Sequence, residues 1–308
     1  MGLKEKDAAL QKSWNQLFVE SDKGRVIEAP YTKETFEDLG VTRDIDATGS
    51  NQPIAWTHRK LEGADLYFIS NQQNKSVSIP VSFRITGFAP EIWDPASGTI
   101  KKMENWHIKE GRTYIDLNLH ENASMFLVFR ERTSDLSIIT TRDTPRRPNV
   151  PLKLNSNWEV KFDPAFGGPE EKILFPRLTS WSEHNNEKVK YYSGIANYKN
   201  TFVIVNPDFS TPFYLTIDSI HNIASVYING IDCGTLWTPP YQLDISKAIK
   251  TGDNTIEIKV SNTWANRLIG DMALPEEKRV TWTTAPLNLL QGKPLLKAGL
   301  EGEIKIWQ

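Results

Sequence analysis

The chain has 308 residues, with 36 lysines and arginines against 38 aspartates and glutamates, for a formal net charge of −2. Its 39% hydrophobic and 24% charged residues make an ordinary globular composition, and the balanced charge excludes a bulk electrostatic attraction to nucleic acid or an anionic membrane. No apolar run approaches the roughly 20 residues of a membrane-spanning helix, and the lone Cys233 excludes both an intramolecular disulfide and a cysteine-built zinc site. Taken in chain order, residues 1–50 come first. No apolar stretch of the signal-peptide kind follows the first residues. Apolar side chains at Ala9, Leu10, Trp14, Leu17 and Phe18 recur near helical spacing, so a helix is expected over Lys4 to Phe18. A short strand is expected over Gly24 to Ala29, then a second helix over Thr32 to Leu39 with Thr32 as its N-cap and Gly40 as its C-cap. One strand between two helices has no ladder partner. Residues 1–50 therefore read as a short α/β remnant of a truncated upstream domain.

Residues 51–140 read as an antiparallel β-sandwich. Asp65 to Ser70 and Ser76 to Ile85 are β-rich, and Val77, Ile79, Val81, Phe83 and Ile85 alternate with polar or small residues. Pro80 points to an edge or bulged position within that strand. Trp93 to Gly98 reads as a turn, Tyr114 to Leu119 alternates again, and Met125 to Phe129 is a continuous apolar run suited to a strand buried on both faces. The prolines and arginines of Arg142 to Asn149 mark a linker.

Residues 150–308 read as a second all-β unit, long enough for its own core. Phe213, Leu215 and Ile217 alternate with polar neighbours, as do Ile256, Ile258 and Val260. Asn229-Gly230 between apolar alternations is the preferred two-residue hairpin turn. Leu300 to Trp307 supplies a last strand, with Ile304 and Ile306 on one face.

This third part resembles the galactose-binding-like jelly roll of family 2 glycoside hydrolases. The resemblance rests on Val226 to Gly230, Gly234 to Tyr241, Leu243 to Ile245 and Gly252 to Ile258. A narrower likeness comes from Tyr191 to Gly194, Asn262 to Asp271 and Ala298 to Gly302. Trp56 to Arg59, Asp65 to Asn71 and Phe88 to Pro95 add to it. In that order these motifs resemble the C-terminal, non-barrel region of family 106 glycoside hydrolases, the α-L-rhamnosidase-like enzymes. The resemblance implies a catalytic (β/α)8 barrel upstream, which would hold the acid and base carboxylates and a calcium ion. It also implies a periplasmic or extracellular enzyme acting on polysaccharide. No position here matches a catalytic residue of the family.

The residues offer little chemistry of their own. Glycoside hydrolysis needs two carboxylates at a set separation. The neighbours Glu170/Glu171 and Glu276/Glu277 do not face each other on either a strand or a helix. The five histidines show no metal-ligand spacing, and Ser180 to His184 lacks a nucleophile elbow. No cofactor or metal is expected. Trp237 and Tyr241 flank Pro239-Pro240, a stiff loop suited to stacking a ring on a sugar, and Trp264, Arg267 and Asp271 form a second candidate carbohydrate-binding cluster. The competing reading is structural: Trp264 caps the core while Arg267 pairs with Asp271 to hold the loop that follows Ser261.

Three functions follow. The first is a non-catalytic accessory portion of a rhamnosidase-like glycoside hydrolase, with the upstream barrel and a rhamnose-containing plant polysaccharide as expected partners. The second is a free-standing carbohydrate-binding protein. The third, a self-sufficient hydrolase, is the least favoured. Exposed rings favour the second, and buried ones the first.

Overall fold

The computed structural model describes residues 8–13, 31–32, 35–36, 38–47, 54–139, 151–154, 157–284 and 290–308. The expected strand over Gly24 to Ala29, much of both N-terminal helices and the linker over Arg142 to Asn149 lie outside them. Residues 8–13 are helical and exposed. At the second helix the Thr32 hydroxyl accepts the Thr35 N–H at 3.4 Å, the bond an N-cap makes.

The chain then builds two β-sandwiches. The first comprises β1 (Ile45–Ala47), β2 (Ile54–Leu61), β3 (Ala64–Asn71), β4 (Val77–Phe83), β5 (Phe88–Trp93), β6 (Ile100–Lys102), β7 (Asn105–Lys109), β8 (Arg112–Leu119), β9 (Ser124–Arg132) and β10 (Ser137–Ile139). They form two five-stranded sheets, ordered β1-β4-β8-β7-β10 and β2-β3-β9-β5-β6, with every pair antiparallel. Period-two side chains explain the layering. In β8, Thr113, Ile115, Leu117 and Leu119 point inward and are buried. They meet Tyr67, Phe83 and Phe129, whose rings pack 5.0 to 6.0 Å apart. The apolar run in β9 is buried across both faces only at Leu127, Val128 and Phe129. Among the described residues the β1 ladder reaches Val81, one residue short of Pro80.

The second sandwich holds β11 (Leu152–Lys153), β12 (Trp158–Lys161), β13 (Ile173–Phe175), β14 (Ile195–Ile204), β15 (Tyr214–His221), β16 (Ile223–Ile228), β17 (Ile231–Leu236), β18 (Gln242–Asp244), β19 (Gly252–Ser261) and β20 (Gly299–Trp307). A four-stranded sheet, β11-β20-β15-β18, faces a six-stranded one, β13-β12-β14-β19-β16-β17. Asn229 and Gly230 join β16 to β17 with φ of 52° and 79°, a primed turn whose second position glycine adopts without steric cost. Much of the tryptophan and tyrosine is core: Trp158, Trp181, Tyr192 and Tyr198 are at most 1% exposed. Trp181 donates its indole N–H to the Tyr198 hydroxyl, which also receives the Leu300 N–H at 3.3 Å. The cost of burying these polar tips is thereby offset.

One sequence expectation needs correcting. The stretch read as a loop after Ser261 is an eight-residue helix, α2 (Ala265–Met272), preceded by the single turn α1 (Glu187–Lys190). Its buried face is Asn266, Arg267, Gly270 and Asp271, so the face turned inward is the polar one, and the apolar periodicity of Ala265, Leu268, Ile269 and Met272 marks the opposite, partly exposed side.

Candidate functional site

Strand register places the candidate residues. Leu236 pairs with Ala224, and Ala224 with Val260, so Trp237 and Trp264 both follow strand ends at one edge of the six-stranded sheet. Their strands are separated by β16, about 10 Å across two ladder spacings. Ile195 and Ile223, which both pair with Ser261, stand at the same end and are exposed.

Helix α2 organises this end through its polar face. The Asn266 side chain grips Leu296 in both directions, donating to its carbonyl at 2.7 Å and accepting its N–H at 2.8 Å. The Arg267 backbone N–H donates to the Ser193 hydroxyl at 3.1 Å, and Asn262 accepts from Gly194 N–H while donating to the Tyr192 carbonyl. The segments Tyr191 to Gly194 and Asn262 to Asp271 therefore meet in space. Gly270 is packed against Tyr191: a Cβ there would fall 2.7 Å from the ring.

Asp271 is the central acceptor. Its Oδ2 receives the Val280 N–H at 3.1 Å, the Thr281 N–H at 2.8 Å and the Thr281 hydroxyl at 2.6 Å. Its Oδ1 faces Arg267 Nε at 3.3 Å, close enough for an ion pair but without hydrogen-bond alignment, and both atoms are buried. The Arg267 guanidinium lies beneath the turn at Gly167, where φ is 77° and an added Cβ would come within 2.7 Å of Nη1.

These contacts fix the helix and leave rings outside it. Trp282, next to the clamped Thr281, is 85% exposed. Trp264 is 47% exposed and meets the half-exposed Phe166 edge-on at 5.7 Å. Arg267 and Asp271, expected as sugar ligands, are 6% and 3% exposed and turn inward to each other. Trp237 is 54% exposed. Tyr241 is half-buried beside the cis Pro239–Pro240 bond and donates to the Ile220 carbonyl at 3.4 Å, and burial pushes its hydroxyl pKa up. The sequence reading did not include Phe166 or Trp282. Phe166 lies one residue before the Gly167 turn, and Trp282 lies beyond a helix whose inward face carries no apolar pattern.

Other chemistry is spread out. Glu170, Glu171, Glu276 and Glu277 are all exposed. His58 sits between carboxylates, Nδ1 at 2.9 Å from Asp44 and Nε2 at 2.8 Å from Asp65, while His221 contacts Glu301 at 3.2 Å. Among the described residues no group of three or more His, Cys, Asp or Glu side chains is arranged to hold a metal ion, and no helix is long and apolar enough to cross a membrane.

Comparison with known proteins gives this geometry a context. Residues 2–108 match the α-L-rhamnosidase family, and residues 180–288 match the galactose-binding domain-like family of glycosyl hydrolases 2. A Formosa agariphila protein provisionally named a β-glucuronidase is 38% identical over 151 residues, which is 48% of this chain and 13% of that protein. The structure of a rhamnosidase from Novosphingobium sp. PP1Y superposes with a TM-score of 0.79 at 32% identity, covering 99% of this chain and 29% of its own. The chain thus spans under a third of the length of either relative. Its N-terminal third carries the α-L-rhamnosidase family signature, its second sandwich the galactose-binding-like one, and its fold is that of part of a rhamnosidase.

Proposed function

We propose that this chain is a non-catalytic accessory portion of a larger α-L-rhamnosidase-like glycoside hydrolase, and that its α2 end docks on the catalytic barrel of that enzyme. The observation that carries the reading is the whole-chain likeness to less than a third of a rhamnosidase, which leaves most of such an enzyme to segments other than these sandwiches. The α2 end has the character such a contact needs. Trp264 and Trp282 are exposed rings, and burying apolar area yields about 25 cal/mol per Å². The buried Asn266, Arg267 and Asp271 hold the scaffold and leave the rings to make the contact. In this reading the whole enzyme works in the periplasm or outside the cell, which the family likeness supports.

A second reading has its own observation. Trp237 and Trp264 are exposed at one end of one sheet, the outcome the sequence criterion assigns to a carbohydrate-binding protein, so the accessory reading is carried by the extent of the rhamnosidase likeness and not by these rings. One titration separates the two. The purified chain is mixed with an aryl α-L-rhamnoside and with pectic oligosaccharides, and NMR follows saturation transfer and free rhamnose together. The docking reading expects neither signal at the α2 end. Saturation transfer to sugar from the Trp237 and Trp264 indoles supports the binding face instead. Released rhamnose overturns the non-catalytic reading.

A further inference from the structure

The outward face of the six-stranded sheet carries a second feature, far from the α2 end. The row Glu159, Lys199, Glu257 and Tyr227 runs straight across four strands, each residue paired with the next. It lies four residues along β19 from the Ser261 row, about 13 Å away. The row sits in a groove of about 420 Å³ that Thr201 and Thr255 also line. That volume falls in the range of small-ligand pockets, roughly 300 to 1,000 Å³.

The groove is prearranged. Glu257 Oε1 accepts from Asn197 at 2.7 Å, and its Oε2 is 3.3 Å from the Lys199 ammonium. Both oxygens are held, and each keeps a lone pair for a further donor. Lys172 neutralises Glu159 at 2.6 Å. The Lys259 ammonium lies 4.9 Å from the Tyr227 ring centroid and fixes that ring. Acceptors, donors and one half-buried ring are thus set side by side, and the cations named are already engaged by carboxylates or the ring. A ligand dense in hydroxyls and without net charge satisfies such a floor, because it donates and accepts without displacing an ion pair.

We propose that this groove binds a neutral oligosaccharide, with Glu257 and Lys199 bonding its hydroxyls and Tyr227 bearing against a sugar ring. The proposal rests on the reading of this chain as part of a glycoside hydrolase but assigns a sugar site separate from the α2 end. The test is calorimetric and ¹⁵N NMR titration of the whole chain with xylohexaose, cellohexaose and a hexamer of galacturonate. A neutral hexamer is expected to shift amides of Lys199, Tyr227, Thr255 and Glu257. Tyr227→Ala and Glu257→Gln are each expected to weaken binding about tenfold at unchanged melting temperature, and Trp264→Ala to leave it intact. Tighter binding of the galacturonate hexamer overturns the neutral-ligand assignment. No shift at these amides with either neutral hexamer, or equal binding by Glu257→Gln, overturns the site. Loss of binding in Trp264→Ala alone moves recognition to the α2 end and likewise overturns it.

Discussion

At the residue scale, Asp271 gathers more structure than any other charged side chain at the α2 end. Asp271→Ala removes three hydrogen bonds from Val280 and Thr281 and strands the Arg267 charge at 6% exposure. Leaving a buried charge without its partner costs about 3 to 5 kcal/mol, so urea unfolding is expected to show a loss of that order. The double replacement Arg267→Met with Asp271→Leu is expected to recover part of it, since no charge then remains buried. Gly167→Ala is expected to destabilise by more than about 1 kcal/mol, because φ is positive there and the added methyl group meets Arg267 and Val280. In the first sandwich the Tyr67 hydroxyl is buried with no hydrogen-bond partner among the described residues, and burial, then the Asp44 and Asp65 carboxylates, pushes its pKa above the usual tyrosine value. A pKa raised on folding gives stability that is complete below the unfolded value, about 10, and is lost as pH climbs past it. Tyr67→Phe is therefore expected to be neutral or mildly stabilising at pH 7 and to flatten the alkaline decline seen by thermal melts.

Elements differ in how plainly the sequence announces them. The alternation in β8 and β19 and the Asn229-Gly230 turn are local rules, with side chains on a period of two and a dipeptide that accepts positive φ, and they appear where those rules put them. Helix α2 obeys no such rule. Leu268 and Ile269 are only partly buried while Asn266, Arg267 and Asp271 face inward, and their partners lie up to 74 residues away in sequence. Only folding brings Ser193, Thr281 and Leu296 to the helix, so the inward turn of Arg267 and Asp271 has no local signature. The exposure of Trp237 and Trp264 is equally illegible, since in sequence they resemble the buried Trp158 and Trp181. An outward aromatic is distinguished from a core one by what packs over it, which is tertiary information.

For the whole molecule, the two hydrophobic cores are separate: one gathers residues from Ile45 to Phe129, the other from Leu154 to Ile306. We propose the sandwiches as two domains, the second over 150–308 and the first reaching back past the expected boundary at 51, because β1 (Ile45–Ala47), assigned in sequence to the 1–50 remnant, pairs with β4 and joins the first core. Limited trypsin cleavage at Arg142 or Arg146 is then expected to yield two fragments that keep cooperative thermal transitions, read by circular dichroism. One merged transition that is lost on cleavage would sink the division. The exposed rings make a further prediction at this scale. Trp264→Ala with Trp282→Ala is expected to change the chain's own stability by less than about 0.5 kcal/mol per site, as exposed positions do. In an enzyme that contains the barrel, the same pair is expected to lower the melting temperature.

The order of strands in the smaller sheet of the second sandwich bears on how the protein is made. β20 lies between β11 and β15, pairing Ile306 with Leu152 and Leu300 with Ile220. Until residues 299–307 leave the ribosome, β15 has an open hydrogen-bonding edge and the Tyr198 hydroxyl lacks its Leu300 donor. Translation at about 5 to 20 residues per second leaves that edge bare for seconds, and the closing contacts span some 150 residues of chain. The nascent second sandwich is thus an aggregation hazard that ends only with its last strand, and a ribosome stalled before Gly299 would hold a product that chaperones must shield.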